Sequence, residues 1–169
     1  DAISISKKGE NYILGVHIAD VSYYVKEGTA LYKEAYSRGT SVYLVDRVVP
    51  MLPHKLSNGI CSLNPNVDRL AISCVMEINH KGDVVSYDIF ESVIKSRKQM
   101  TYKKVNKFLE EGIVEEGYES FTTSLTLMAE LAKILRENKE RRGYIDFDID
   151  ESKIIVDDKG EAIDVKLRE

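Results

Sequence analysis

The chain has 169 residues, 43% hydrophobic and 31% charged, with a formal net charge of −4. That is one domain's length with enough apolar material for a core, and its acidic balance excludes a general attraction of the whole chain to nucleic acid, so any such contact must come from a local patch. No apolar run approaches the ~20 residues of a membrane span, no signal peptide is visible, and the only cysteines, Cys61 and Cys74, form no CxxC motif or even-spaced framework and read as buried free thiols of a reducing cytosol.

Residues 2–6 alternate apolar and polar, which predicts a half-buried strand. Lys8-Gly9-Glu10 turns it, and Tyr12 to Ala19 returns as the second arm of a hairpin ended by Asp20. Gly28-Thr29 precedes a short helix from Ala30 to Arg38, closed by Gly39. Val42 to Val45 reads as a strand, and Pro50 and Pro53 forbid regular structure around Met51 and Leu52. Leu70 to Ile78 and Val84 to Ile94 are long strands joined by the turn His80-Lys81-Gly82-Asp83. Thr101 to Leu109 is helical, with Tyr102, Val105, Phe108 and Leu109 on one side. A longer helix over 122–140 carries a buried stripe of Leu125, Met128, Leu131, Ala132 and Leu135, and Gly143 stops it. Ile145 to Asp150 and Lys153 to Val156 are extended, and Asp157-Asp158-Lys159-Gly160 turns a last hairpin toward Ala162 to Leu167. With no repeat, no linker and no regular βαβ alternation, the class is α+β: a mostly antiparallel mixed sheet with packed helices, read as one domain over 1–169.

Three segments could carry chemistry. Residues 92–109 hold Lys95, Arg97, Lys98, Lys103, Lys104 and Lys107 and no acid, with Tyr102 among them. Such cations neutralise phosphates, and a base or sugar can lie against the ring; a solvated helix face with Tyr102 packed into the core is the alternative. In Ile145-Asp146-Phe147-Asp148-Ile149-Asp150, extended backbone would place three carboxylates on one face and Phe147 on the other, where core packing is the default. A calcium loop is excluded because Glu151 stands where glycine is required. Tyr43 leads into the proline-pinned loop and is either a core residue or an aromatic platform beside a cleft. His17, His54 and His80 lack the flanking patterns of nucleophilic catalysis, and neither a P-loop nor a dinucleotide fingerprint occurs.

The phrases HIADVSYYV, PMLPHKLSNGICSLNP, MEINHKGDVVSY and FESVIKS together resemble the catalytic RNB domain of the ribonuclease R and ribonuclease II family, on its ribonuclease R side. The likeness runs from Asp1 to at least Lys153; Tyr23 departs from a common histidine. It implies a 3′–5′ exoribonuclease that degrades single-stranded RNA processively to nucleoside monophosphates. Asp1-Ala2 matches the end of the family's acidic block, D, five residues, D-x-D-D-A, so Asp1 is expected to be a catalytic, metal-binding carboxylate for Mg2+ whose three companions lie before this chain. Paired metals, or a metal with carboxylates, would hold the scissile phosphate and activate water.

By position in the motifs, the resemblance makes Tyr43 and Phe147 stacking aromatics for the last nucleotides of the RNA 3′ end. It makes Tyr102 a contact to the final nucleotide, with Lys95, Arg97 and Lys98 beside the backbone. It implies a cytoplasmic enzyme whose OB-fold domains and C-terminal catalytic half lie elsewhere, so that this segment alone is inactive. A non-catalytic RNA-binding or scaffolding relative is the competing reading, and an unrelated α+β interaction module is a third.

Overall fold

The computed structural model describes residues 1–145, 147 and 151–167. The fold is α+β, with antiparallel sheets and packed helices. The chain divides into two compact units, Asp1–Asp20 with Ile60–Tyr144, and Val21–Gly59 with Ile145–Glu169.

The first unit is built on a four-stranded antiparallel sheet. Strands β1 (Ala2–Lys8) and β2 (Asn11–Ala19) form the expected hairpin, and two longer strands, Asp68–Ile78 and Val84–Lys95, complete the order β1, β2, Asp68–Ile78, Val84–Lys95. The helix Thr122–Arg141 packs on one face at one end. Tyr12, Ile78 and Leu131 are the buried centre, with Ile5, Leu14, Met76, Leu127, Ile134 and Leu135 around them. Ala132, expected on the buried stripe, is exposed; the sheet is met by Leu127, Leu131, Ile134 and Leu135, and position 132 lies about 100° around the helix from 131. Polar contacts seat the same helix. Glu130 accepts from the Tyr12 hydroxyl at 3.1 Å, and Asn138 donates to the carbonyl of Lys81 at 2.8 Å. Gly82 (φ 81°) allows this approach, since a Cβ there would stand 2.9 Å from that of Asn138.

The opposite face carries a polar row with one residue from each strand. Ser4 and His17 Nε2 are 3.1 Å apart, His17 Nδ1 and Ser73 2.6 Å, and Ser73 and Ser92 2.6 Å. The Ser92 hydroxyl donates to the carbonyl of Ala71 at 3.2 Å. That end point sets every donor: Ser73 donates to Ser92, His17 Nδ1–H donates to Ser73, and neutral Nε2 accepts from Ser4. Gly15 is needed beneath the ring, because a Cβ there would meet Ser4 Oγ and stand 2.8 Å from His17 Nε2.

In the second unit, α1 (Val21–Tyr24) precedes α2 (Ala30–Arg38), which keeps the expected bounds. Thr29 caps α2 by accepting the amide of Tyr32 at 3.2 Å, and Gly39 (φ 71°) ends it. The strand expected over 42–45 is shorter. The amide of Leu44 donates to the carbonyl of Arg47 at 2.8 Å, so the chain reverses there and β3 (Val42–Tyr43) pairs with β4 (Val48–Val49). Lys55–Ile60 then forms a π-helical turn that no sequence signal marked. In chain order the long strands of the first unit are β5 (Asp68–Ile78) and β6 (Val84–Lys95), its helices are α3 (Tyr102–Glu111) and α4 (Thr122–Arg141), and β7 (Ser152–Val156) and β8 (Ala162–Leu167) form the last hairpin, in the second unit. Its turn is held by Asp157, whose carboxylate accepts the amides of Lys159 and Glu161.

Burial holds His17 below its ordinary pKa. The unfolded chain therefore takes up the proton first, so the contribution of this ring is complete above the unfolded pKa of about 6.5 and is lost as pH falls from there through the folded value. Urea midpoints measured between pH 7.5 and 5 are expected to fall with pH, and to fall less steeply in His17→Asn; an unchanged slope would refute this assignment.

Candidate nucleic-acid interface

The basic segment leaves the sheet at the end where β1 begins. Ala2, His17, Ser73 and Phe90 lie in one cross-strand row, and Lys95 pairs with Asp68 beyond it at that end. The Lys95 ammonium is 3.5 Å from the Asp68 carboxylate, with both side chains largely in solvent, where such a pair contributes little. A bridge between Pro65 and Ser96 carries the chain off the sheet toward Arg97 and Lys98. Arg97 lies 5.0 Å from the centre of the Phe121 ring, and Lys98 5.2 Å from that of Tyr118. Lys107 forms a 2.7 Å ion pair with Glu115, which pushes the lysine pKa up and the Glu115 pKa down.

Thr101 ends this extended stretch, and α3 starts at Tyr102. Tyr102 is 92% exposed, so the alternative of a core contact is wrong: Val105, Lys107 and Phe108 are the half-buried positions of α3. Asp1 lies just before β1 and is exposed. Among the described residues no three His, Cys, Asp or Glu side chains form a cluster that could hold a metal ion. Asp1 alone does not fit magnesium, which takes a near-octahedral oxygen shell. Cys61 and Cys74 are free but only half-buried, not fully buried as expected. Burial, then the nearby Asp20 carboxylate, raises the Cys61 thiol pKa.

Tyr43 and Phe147 belong to the second unit. They are 78% and 74% exposed, so core packing is excluded for both. Tyr43 points outward from the tight turn that shortens β3. With Leu44 and Val45 it lines an open trough of about 930 Å3, whose other wall is the β7–β8 hairpin with Ile154, Ile155, Lys153 and Lys166. Phe147 is not among the lining residues, and the carboxylate face expected from Asp146, Asp148 and Asp150 falls outside the described residues. Sequence reasoning missed the lysines. Lys153 and Lys166 are direct cross-strand partners, a like-charge pairing that costs stability in a hairpin, and the Lys166 ammonium lies 3.8 Å from the Asp164 carboxylate. Counting back from the Asp157–Gly160 turn would have set Lys153 against Val165, because the register shifts between Ile155 and Val156.

A family model described as RNB domain matches residues 1–169. Ribonuclease R of Thermotoga maritima is 55% identical over 99% of this chain, which spans 24% of that protein's length. RNase R of Mycoplasma genitalium, solved in complex with double-stranded RNA, superimposes with a TM-score of 0.93 at 30% identity over 98% of this chain and 30% of that one. Yeast Ssd1, a pseudonuclease, shares the fold at a TM-score of 0.61 and 21% identity, over 72% of this chain and 15% of that one. No described helix is long and apolar enough to cross a membrane.

Because their rings face solvent, Tyr43→Ala and Tyr102→Ala are each expected to change unfolding free energy by less than about 0.5 kcal/mol. The buried Leu131→Ala should cost about 2–5 kcal/mol in the same urea titrations.

Proposed function

Because the chain belongs to the RNB-domain family of exoribonucleases, of which it spans about a quarter of the first relatives' length, we propose that its parent enzyme degrades single-stranded RNA from the 3′ end to nucleoside monophosphates. One observation carries the reading: the three aromatics at the family's nucleotide-contacting positions, Tyr43, Tyr102 and Phe147, all stand outside the core. Leaving three large rings in water forgoes roughly 1.5–3 kcal/mol of burial apiece, an arrangement suited to rings that stack on a ligand. A stacked base gains about 1–3 kcal/mol, and every base has a face to offer, which suits an enzyme that must accept any sequence. Only unpaired bases can be splayed this way, so the substrate is a single strand.

In this reading Lys95, Arg97 and Lys98 neutralise backbone phosphates near Tyr102, and Lys153 and Lys166 do so beside Tyr43. Lys107 contributes least, because Glu115 already pairs it. The parent's cofactor is Mg2+, with Asp1 as one ligand among carboxylates supplied from outside this segment. The metal would activate the attacking water and offset charge on the leaving oxygen. The segment by itself is then inactive.

The second reading is an RNA-binding relative without catalysis; that yeast Ssd1, described as a pseudonuclease, shares the fold supports considering it. The protein as encoded, given 5′-labelled single-stranded RNA and Mg2+, is expected to leave a short limit product, and Asp1→Asn should stop turnover while RNA is still bound. Tyr43→Ala and Phe147→Ala should each weaken 3′-end binding about 5- to 100-fold and change the length of the limit product. Bound but uncut RNA with the unsubstituted protein would favour the second reading. Full turnover by Asp1→Asn would overturn the role given to that carboxylate.

A further inference from the structure

One short segment, Glu115–Phe121, engages four of the six cations in the basic stretch. Glu115 pairs with Lys107, the Tyr118 ring lies under Lys98 and Lys104 at 5.2 and 5.8 Å, and Phe121 lies under Arg97. Tyr118 is the centre of this arrangement. It is only 2% exposed, although it sits between two short connections on the surface. Its backbone is fixed on both sides, its amide donating to Glu115 at 3.0 Å and its carbonyl accepting from Phe121 at 2.9 Å. Its hydroxyl accepts the backbone amide of Thr101 at 3.3 Å. Thr101 is the residue immediately before Tyr102, and its own side chain makes no cap to α3. The Tyr118 hydroxyl is thus a tertiary anchor on the chain one residue from the exposed ring. A ring face attracts ammonium groups without cancelling their charge, so Lys98 and Lys104 are held in place and still offer it to phosphate.

We propose that Tyr118 is a positioning residue for the nucleotide site: its hydroxyl fixes the entry to α3 so that Tyr102 presents one orientation to the 3′-terminal nucleotide, and its ring aligns Lys98 and Lys104 beside it. This rests on the reading of Tyr102 as a nucleotide contact. A tyrosine serves here and a phenylalanine does not, because only the hydroxyl offers an acceptor to the Thr101 amide, in a part-buried hydrogen bond. Glu115 and Phe121 complete the template by holding Lys107 and Arg97 at its two ends.

The test is a double-mutant cycle in the protein as encoded, binding a phosphorothioate-linked single-stranded RNA that ends in 2-aminopurine. Tyr102→Ala is expected to weaken binding about 5- to 100-fold and to lose the fluorescence quenching caused by stacking. Tyr118→Phe keeps the ring and its cations, and should weaken binding about two- to tenfold with partial loss of quenching. In the Tyr102→Ala background the same change should cost almost nothing, because the ring it orients is gone. An equal loss in both backgrounds would mean that Tyr118 acts only through general stability, and would overturn the proposal while leaving Tyr102 in its role. No effect of Tyr118→Phe in either background would overturn it too. If Tyr102→Ala itself changes neither affinity nor quenching, the reading of Tyr102 fails and takes the proposal with it.

Discussion

The first unit depends on the hydrogen-bonded row that crosses its sheet from Ser4 through His17 and Ser73 to Ser92. Each strand contributes one residue, and the donors run in a single direction to the carbonyl of Ala71. Ser73 is fully buried, so a missing partner would cost the desolvation of its hydroxyl, about 1–3 kcal/mol. A slip of one residue in any strand would turn its member of the row to the opposite face. The row therefore specifies register in a way the apolar face cannot, since Ile, Leu and Val side chains tolerate repacking far better than hydroxyls tolerate isolation. It also accounts for Gly15, whose missing Cβ leaves room for the ring.

With register fixed, the ends of the strands are fixed as well. β1 begins and β6 finishes at one end of the sheet, so exposed Asp1 and the first cation of the basic stretch are carried on its two edge strands. From there order passes to the turns. Arg97, Lys98, Lys104 and Lys107 are placed by rings and a carboxylate from residues 115–121, and Tyr102 is placed by the helix it opens. Acidic overall, the chain thus gathers its positive charge into one stretch, while Asp68 and Glu115 temper Lys95 and Lys107.

Local chemistry was legible in the sequence. The turn at Gly9, the helix from Ala30 to Arg38 with its Thr29 cap, and the Asp157–Gly160 turn follow from signals a few residues apart. Long apolar alternation marked β5 and β6. What depends on distant partners was not legible. Nothing near Leu44 announces that its amide will close on Arg47, and nothing near Ala132 says that the sheet will meet Leu127 and Ile134 beside Leu131 and Leu135 and leave Ala132 in solvent. The residues alone could not decide whether Tyr43, Tyr102 and Phe147 were buried; their motif positions suggested solvent, where the fold leaves them. Tyr118 drew no attention because its partners lie 14 to 20 positions earlier, a link that only folding supplies.

β6 has one more consequence. It is twelve residues long, forms an edge of its sheet, and shows Val85, Tyr87, Ile89 and Val93 to solvent along one face. An edge of that length with an apolar stripe is a template for intermolecular strand pairing, relieved within the strand by Asp88 and Glu91 and at its end by Lys95. Handled at high concentration, this chain would be expected to lose material to ordered, sheet-like association before its helices melt, and a lysine at position 87 or 89 would act as a gatekeeper at little expense to the core.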